Sequence, residues 1–587
     1  MTMPCTPPYT PLTDSSSPVL AKEKLPAHPK YQQAISLLTP PQTPEIETVR
    51  NHLSERLQIQ CQGRKLSDNE ISYYLPSRGD GVNDMYVHHK LLASSSQMSP
   101  SRILHIWAYQ LLLHPLLAAT TRFNSYEDID FVPTRPTSLI DALTVAANRF
   151  SFLTDDRDII DTYLNGPRTL SDERLGYLVV KAPAAVNEAP LEKEEYEIML
   201  CATHYLGDGM ALHSFMNEFY TILGSDQSTE LIASLIEEKL SGKPVGIPQS
   251  LEERLPLVGG GSKLASAVGK DELARSEKKL IGGQSFGTNK DKLPRQTAVP
   301  TISYDKDTTK VILGNCKQNG VTIAHAVFAL CNIAWARRTS DKFDPCLIYS
   351  ALNLRPNMLP ATPESSESFF HLAVGYFNIV LPTLLPSIPV SDLFWHRARM
   401  TKNQTMKAVK SPFVVARSRN TSIVRKDRAV KWAAIDDKEA EEAKAKQLNG
   451  NGNGNAGLGL GLDLPQQQER VETLPKAKKV APQSMHLPTP DNTPVIPEER
   501  KVSQKALMGL SMLGNLDGMY KHASFPSLEL TSLTTGSRQR NGALLLFAYT
   551  FAGKLWFSLG YDKNGFPAGV IEGFWQECQN LIDEVLV

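Results

Sequence analysis

A short polar turn between a strand pattern and a helix pattern holds the residues of this sequence best suited to chemistry. The stretch CATHYLGDG occupies positions 201–209 and places a histidine at 204, an aspartate at 208 and a glycine at 209. The apolar, β-favouring run EEYEIMLCAT leads into it, and MALHSFMNEFYTIL follows with apolar residues at helical spacing. We therefore predict that His204 lies at the mouth of a strand, where loop side chains face a crevice in α/β proteins.

A histidine in such a turn suits acyl transfer. A neutral imidazole near its ordinary pKa is a good general base at pH 7. We expect His204 to take the proton of a hydroxyl or amine as that group attacks a thioester, with no covalent enzyme intermediate. Asp208 need not touch substrate, because pairing with an arginine would hold the loop rigid. Gly209 is expected to leave room beside His204 for a substrate to pass.

Each of the three residues also has an ordinary structural explanation. A histidine after a buried strand is commonly a hydrogen-bonded structural residue, an aspartate before a helix is a natural N-cap, and a glycine eases a turn. The combination is rarer, since His204 alone of 13 histidines has aspartate at the fourth following position. Composition alone would give on the order of 0.05 HxxxDG matches in a chain of this size.

Size and composition indicate a multidomain globular protein. With 587 residues, two or three domains of roughly 100–200 residues each are expected. Lys+Arg and Asp+Glu both number 62, which argues against nucleic acid as the main partner because phosphate binding needs a positive excess. The seven cysteines contain no CxxC, so neither disulfides nor a metal site is expected, and a reduced, cytoplasmic setting fits best.

Targeting signals are not expected. No apolar run reaches the roughly 18 residues needed to span a bilayer. The Pro-, Ser- and Thr-rich N-terminal sequence has no apolar signal-peptide core.

The patterning divides the chain into two folded regions. Residues 1–30 are expected to be a disordered tail, and 31–240 an N-terminal domain that alternates helices and strands. The Gly-, Lys-, Pro- and Ser-rich stretch 241–300 is expected to be a crossover linker. Residues 301–587 are predicted to be a second domain of similar size, interrupted by a low-complexity, disordered insertion at 427–500.

Strand and helix patterns alternate in the second half. We predict a strand over TKVILGN (309–315), the helix GVTIAHAVFALCNIAWARR, the strands DPCLIYSALNLRP and AVGYFNIVLPTL, and the helix PVSDLFWHRARMTKNQTMKA. The sequence ALLLFAYTFAGKLWFSLGYD is typical of two strands joined at Gly553–Lys554, before a closing amphipathic helix. The expected fold class is α/β.

The turn and three further segments resemble one enzyme superfamily. HYLGDG (204–209) resembles the HxxxDG motif of the CoA-dependent acyltransferases, which include chloramphenicol acetyltransferase, plant BAHD acyltransferases, alcohol acetyltransferases and the condensation domains of peptide synthetases. LLLHPLLAATTRF is similar to the first-domain helix of the family, ALNLRP (351–356) to its (D/N)-LR segment, and GLSMLGNLDG (509–518) to a late SNLG segment. Among relatives, the sequence is most similar to fungal secondary-metabolite O-acetyltransferases, such as those of trichothecene pathways.

The resemblance implies a fold, an activity and roles for residues. It implies two chloramphenicol-acetyltransferase-like domains, each a mixed sheet with helices, and an active-site tunnel at their interface with His204 at its middle. Acetyl-CoA or another acyl-CoA would enter from one face as co-substrate, and a small-molecule alcohol from the other. No bound cofactor is implied, and a monomer is expected. Arg355 is the candidate partner of Asp208, or a contact for the acyl donor.

Two departures from the family pattern affect these roles. Ser511–Met512 stands where relatives often have Ser–Asn, so Ser511 or Asn515 is the candidate for an oxyanion or substrate hydrogen bond. The plant-type DFGWG sequence is absent, which argues only against the plant branch.

Three alternative functions stay open. GQSFG (283–287) matches the GxSxG of serine hydrolases, but polar sequence surrounds Ser285 where that motif needs a strand before it and a helix after it. A non-catalytic binding or scaffold protein would keep the fold and recruit partners through the insertion. An acyltransferase with a carrier-bound donor would keep the chemistry, but no carrier-domain sequence is visible, so free acyl-CoA is favoured.

Overall fold

The chain is described here by a computed structural model over seven stretches. These are residues 63–183, 192–242, 245–257, 263–290, 293–362, 368–450 and 505–587. The tail predicted at 1–30 and the part of the insertion from 451 to 500 lie outside the described residues.

Fifteen strands occur in the described residues. They are β1 (Arg64–Lys65), β2 (Met85–Ala93), β3 (Thr120–Ser125), β4 (Asp128–Val132), β5 (Phe150–Leu153), β6 (Gly176–Lys181), β7 (Glu194–Ala202), β8 (Thr297–Ala298), β9 (Thr301–Tyr304), β10 (Cys346–Asn353), β11 (Val374–Leu381), β12 (Met508–Asn515), β13 (Glu529–Ser537), β14 (Leu544–Phe551) and β15 (Lys554–Asp562).

Fourteen α-helices accompany these strands in the same stretches. They are α1 (Asp68–Ser77), α2 (Pro100–Leu113), α3 (Pro115–Ala118), α4 (Leu139–Ala147), α5 (Ile159–Asn165), α6 (Gly209–Leu223), α7 (Thr229–Ser241), α8 (Leu251–Arg254), α9 (Lys263–Lys278), α10 (Lys306–Gln318), α11 (Ile323–Arg338), α12 (Val390–Val409), α13 (Val414–Gly450) and α14 (Val570–Val585). Short 3₁₀ turns occur at His204–Leu206, Arg355–Asn357, His522–Ser524 and Lys563–Gly565.

The N-terminal lobe is built on a five-stranded sheet in the order β13-β2-β7-β6-β5. Its pairs are antiparallel except for the parallel pair β5–β6. The outer strand β13 comes from the last quarter of the chain and pairs with β2, so the predicted boundary at 301 divides the sequence but not the sheets. Leu533 of β13, together with Leu516 and Phe525 before it, is buried in the core of this lobe.

The C-terminal lobe is built on a mixed seven-stranded sheet. Its order is β11-β10-β12-β14-β15-β8, and β9 also pairs with β15. The central pairs β10–β12 and β12–β14 are parallel, whereas β10–β11 and β14–β15 are antiparallel. Buried faces of α11 and α14 cover a core that is separate from that of the first lobe. The predicted fold class, two mixed-sheet lobes with helices, is confirmed.

The strand predicted at 309–315 is wrong, because these residues belong to helix α10. Asp305 caps this helix, its carboxylate accepting hydrogen bonds from the backbone N–H groups of Asp307 and Thr308. The buried residues of the helix, at 309, 312 and 316, recur at helical spacing. Capping and one-sided burial therefore outweigh the β-favouring run in the local sequence.

The linker and the insertion are both more ordered than predicted. The stretch 241–300 contains α8, α9 and β8, and Gly269 of α9 packs closely against Ala416 of α13. Residues 427–450, predicted to be disordered, continue helix α13. Ala429 and Ala433 of that helix, four residues apart, are buried in the N-terminal core. This spacing explains the order, since it gives a charged helix one packed face.

The described stretches were compared with the requirements of a membrane-spanning helix and of a metal site. No single helix there is long and apolar enough to cross a bilayer, although α10 and α11, bent by 92°, meet the length and composition criteria as a pair. Nowhere in those stretches do three or more His, Cys, Asp or Glu side chains group as a metal site.

The GQSFG segment packs into the C-terminal lobe. It lacks the surroundings of a nucleophilic serine. Residues 283–287 lie in an irregular stretch with neither a strand before them nor a helix after them. The Gln284 amide accepts a hydrogen bond from Trp335 Nε1 at 3.0 Å and donates to the Asp344 carbonyl at 2.9 Å. Phe286 is buried, its ring centroid 4.6 Å from that of Trp335. The serine-hydrolase alternative therefore loses the strand–turn–helix context that it requires.

Adjacent substitutions in this segment should separate the structural interpretation from the catalytic one. We expect Phe286→Ala to lower stability by about 3–5 kcal/mol, as aromatic truncation in a packed core does, and hence to lower the midpoint of thermal unfolding by several degrees. Ser285→Ala serves as the matched control and should change that midpoint little. Equal and small effects from both substitutions would contradict the structural interpretation.

Candidate active site

The HxxxDG turn joins the two lobes at the edge where their strands end. β7 ends at Ala202, the 3₁₀ turn begins at His204, and α6 begins at Gly209. In the other lobe, β10 ends at Asn353 and the next turn begins at Arg355. The structure therefore brings His204, Asp208, Gly209 and Arg355 into one region, although the last is far from the others in sequence.

An ion pair between Asp208 and Arg355 connects the lobes. Arg355 Nη1 lies 2.9 Å from each carboxylate oxygen of Asp208. The carboxylate also accepts hydrogen bonds from the backbone N–H of Ala211, as the N-cap of α6, and from that of Ala373, at 3.2 and 2.8 Å. Arg355 was expected either to pair with Asp208 or to contact the acyl donor. The structure shows the pairing with Asp208.

The surroundings of Asp208 keep its carboxyl ionised. Burial alone would raise the pKa, but the charge of Arg355 and the hydrogen bonds from Arg355, Ala373 and Ala211 outweigh it and lower the pKa of Asp208. The side chains of Asp208 and Arg355 are only 8% and 22% exposed, so water screens the attraction less than at a surface. The pair is thus suited to fixing the turn rather than to proton transfer.

His204 has one ring nitrogen bound and the other available. Its Nδ1 lies 3.0 Å from the carbonyl oxygen of Gly207, and because a carbonyl only accepts, Nδ1 carries the proton. Nε2 then has a lone pair, and it makes no hydrogen bond to any residue in the described stretches. The ring is half-buried, and burial lowers the pKa of His204 below its ordinary value. The imidazole is therefore neutral at pH 7 and available as a base.

A side chain at either glycine of the turn would meet a close neighbour. A Cβ on Gly207 would lie 2.8 Å from the ring of Phe370, and one on Gly209 would lie 3.0 Å from Leu513 Cδ2. Gly209 was expected to leave room for a substrate, which stays a prediction; the side chain that approaches this position is that of Leu513 of β12. Gly207 was missed in the sequence because the motif leaves its position unspecified.

The two candidates for oxyanion contact differ in availability. Asn515 is exposed, and its side-chain oxygen accepts hydrogen bonds from Gly518 N and Thr550 Oγ1, both at 3.3 Å. That amide therefore serves a local turn. Ser511 is half-buried in β12, two residues before the Leu513 that contacts the HxxxDG turn. Its hydroxyl makes no hydrogen bond within the described part of the chain, so Ser511 is the more available donor.

Three further residues beside His204 have no signal in the sequence. The Tyr73 ring of α1 stacks on the His204 ring at a centroid distance of 4.2 Å, with 22° between the planes. The hydroxyls of Tyr73 and Tyr376 are hydrogen-bonded to each other. Arg425 of α13 lies over both phenol rings, with Cζ 4.9 and 4.4 Å from the two centroids. These side chains come from three distant segments, and only the tertiary fold brings them together.

Removing one partner of the interlobe ion pair should destabilise the protein strongly. Asp208→Asn leaves Arg355 buried without a counter-charge, which costs about 3 kcal/mol or more, and we expect a clear fall in the thermal unfolding midpoint. Arg355→Met should have a similar effect, and the double variant should cost less than the sum of the single ones.

An exposed pair of the same residue types provides the control. Arg157 and Asp155 are 51% and 44% exposed, and Arg157→Ala should leave the midpoint nearly unchanged. Additive effects of Asp208→Asn and Arg355→Met would contradict a direct interaction between these side chains.

Comparison with known proteins finds similarity in structure rather than in sequence. No protein-family model matches the chain, and no curated protein matches it significantly. The solved TRI3 trichothecene 15-O-acetyltransferase from Fusarium sporotrichioides is similar at a TM-score of 0.63 with 11% identity, over 88% of this chain and 94% of that chain.

Two further solved structures are also similar. The condensation domain of the Monacolin K polyketide synthase MokA aligns at a TM-score of 0.51 with 11% identity, over 89% of this chain and 97% of its own. The EpoB cyclization-docking bidomain from Sorangium cellulosum aligns at 0.50 with 10% identity, over 96% and 94%. At such identities the similarity shows the fold alone: the chain has the two-lobed fold of these solved structures, as the resemblance of its HxxxDG turn had implied.

Proposed function

We propose that this protein is an acyl-CoA-dependent O-acyltransferase that acetylates a hydroxyl of a small secondary metabolite. The observation that carries the proposal is the state of His204, a neutral imidazole whose Nδ1 is held by the Gly207 carbonyl while Nε2 is unengaged among the described residues. The O-acetyltransferase activity of TRI3, which has the same fold, supports this choice of reaction.

The proposed reaction needs one base and no covalent enzyme intermediate. His204 Nε2 takes the proton of the acceptor hydroxyl as its oxygen attacks the thioester carbonyl carbon. The tetrahedral intermediate then collapses, the C–S bond breaks, and the proton passes from Nε2 to the leaving thiolate. The ester and free CoA are the products, and His204 returns to its neutral state.

The residues around His204 have two proposed roles. They hold the imidazole in position, and they stabilise the negative charge of the intermediate. The Asp208–Arg355 pair keeps the turn fixed, so that Nε2 stays at its reacting distance without contact between Asp208 and substrate. The Ser511 hydroxyl is our candidate donor to the oxygen that becomes negative in the intermediate. Relatives often have an asparagine directly after this serine, whereas this chain has Met512 there. Ser511 is therefore expected to supply the hydrogen bond alone.

The remaining parts of the proposal concern partners and setting. We propose a free acyl-CoA as donor, an alcohol as acceptor, no bound cofactor, and a monomeric enzyme in the cytoplasm. The similarity to the MokA condensation domain and the EpoB cyclization domain makes a carrier-bound acyl group the second candidate donor. Acetyl-CoA and an acetylated carrier protein should therefore be compared side by side.

Substitution of the base should remove most turnover. We expect His204→Ala to lower the rate of CoA release from acetyl-CoA, in the presence of a panel of alcohols, by 10²–10⁴-fold, because it removes the general base. The control is His396→Ala, which changes an exposed histidine on α12 and should keep the full rate. A His204→Ala protein that stays folded and turns over normally would remove the basis of the proposal.

The pH dependence should report the lowered pKa of His204. Only the neutral imidazole accepts a proton, so activity falls as pH drops through the pKa of His204 in the folded enzyme. Because burial lowers this pKa below the ordinary value of about 6.5, the acid limb of kcat/KM should have its midpoint below pH 6.5. A midpoint above that value would be inconsistent with a desolvated, neutral base.

A further inference from the structure

Arg425 carries a positive charge beside the proposed base and has no carboxylate partner. No Asp or Glu of the described stretches lies within ion-pair distance of its guanidinium. The neighbouring cations differ in this respect, since Arg355 pairs with Asp208 and Lys426, the next residue of α13, pairs with Asp68 at 2.9 Å. The charge of Arg425 is thus uncompensated, whereas the charges of Arg355 and Lys426 are paired.

The positive charge of Arg425 lies close to His204. Arg425 lies over the Tyr73 ring, and that ring stacks on the imidazole of His204. The contacts with Tyr73 and Tyr376 stabilise the cation by about 0.5–2 kcal/mol each, which offsets part of the cost of desolvating it. Arg425 is half-buried rather than sealed.

The paired phenols add a hydrogen-bond donor to the same place. Two hydroxyls that bond to each other use one proton between them and leave the second for another acceptor. Burial is the main cause that raises the pKa of Tyr73, so this phenol keeps its proton at neutral pH. A guanidinium and a phenol donor together suit an anionic oxygen.

A second cation without a carboxylate partner in the described ranges acts on a neighbouring tyrosine. Arg540 is exposed and also lacks an Asp or Glu partner within the described ranges. Burial raises the pKa of Tyr349, while the positive charges of Arg540 and Arg425 act to lower it. The Tyr349 ring lies 6.2 Å from that of Tyr376.

We propose that Arg425, with the hydroxyl pair of Tyr73 and Tyr376, binds a carboxylate that one of the two substrates carries close to its reacting group. This inference rests on the proposed function for the identity of the substrates. The planar fork of arginine matches a carboxylate in two parallel hydrogen bonds. The site would therefore select an acidic substrate over its neutral analogue.

The position of Arg425 argues against the phosphates of CoA as its anion. The pantetheine arm separates the thioester from the phosphates by many bonds. A CoA whose thioester lies at His204 would thus have its phosphates far from a guanidinium that packs against a ring touching His204. Two sources of a nearby carboxylate remain, an acidic acceptor alcohol and a dicarboxylic acyl group such as malonyl.

Binding measurements on His204→Ala protein test the inference without turnover. Calorimetry would compare 3-hydroxybenzoate with its methyl ester, as acceptor probes, and malonyl-CoA with acetyl-CoA, as donor probes. We expect the acid of one pair to bind at least about tenfold more tightly than its neutral partner. A charge-assisted hydrogen bond contributes a free energy of binding that corresponds to about this factor. The pair that shows the preference identifies the source of the carboxylate.

Two neighbouring substitutions assign the preference to one residue. Arg425→Met should abolish it, whereas Lys426→Met, which removes the next charge on the same helix, should keep it. If Arg425→Met does not fold, Arg425→Lys takes its place and should weaken the preference, because lysine lacks the planar fork.

Two results would overturn the inference. One is the absence of an acid preference in both pairs, and the other is a preference that survives substitution of Arg425. Because binding is measured in a protein without the base, these outcomes are independent of whether His204 supports turnover.

Discussion

The buried ion pair between Asp208 and Arg355 is the constraint on which the site depends. It joins a turn of the N-terminal lobe to a turn of the C-terminal lobe, with Arg355 Nη1 2.9 Å from both carboxylate oxygens. The same carboxylate caps α6 and accepts the backbone N–H of Ala373. One side chain therefore fixes the start of a helix, the course of the chain before β11 and the relation of the lobes, and the position of His204 follows from all three.

The second constraint is the tautomer of His204. A backbone carbonyl three residues later holds Nδ1, so the ring keeps its orientation and Nε2 keeps its lone pair. Burial makes the neutral form the stable one. The stacked Tyr73 ring and the cation of Arg425 then complete an aromatic and positively charged wall beside the base. The proposed general-base chemistry and the proposed selection of an anionic substrate thus rest on different groups in one small volume.

Local sequence predicted those features that local interactions determine. The strand–turn–helix around His204, the Asp208 cap and the two-lobed α/β class were accessible, because hydrophobic periodicity and capping act over a few residues. The strand at 309–315 was wrong because a capped, one-sided helix outweighs β propensity there. The exchange of β13 into the first sheet and the placing of Tyr73, Tyr376 and Arg425 were not accessible, since each depends on contacts between distant segments. Helix α13 was missed because its low-complexity composition hides the packed stripe of Ala429 and Ala433.

A crystal structure of the His204→Ala protein with acetyl-CoA bound would test whether the two lobes place a thioester at this histidine. We predict that the pantetheine arm enters between the lobes and that the thioester carbonyl lies against residue 204, between Ser511 and the Tyr73 ring. Acetyl-CoA bound elsewhere, or an interface with no passage that reaches residue 204, would contradict the assignment of His204 as the base.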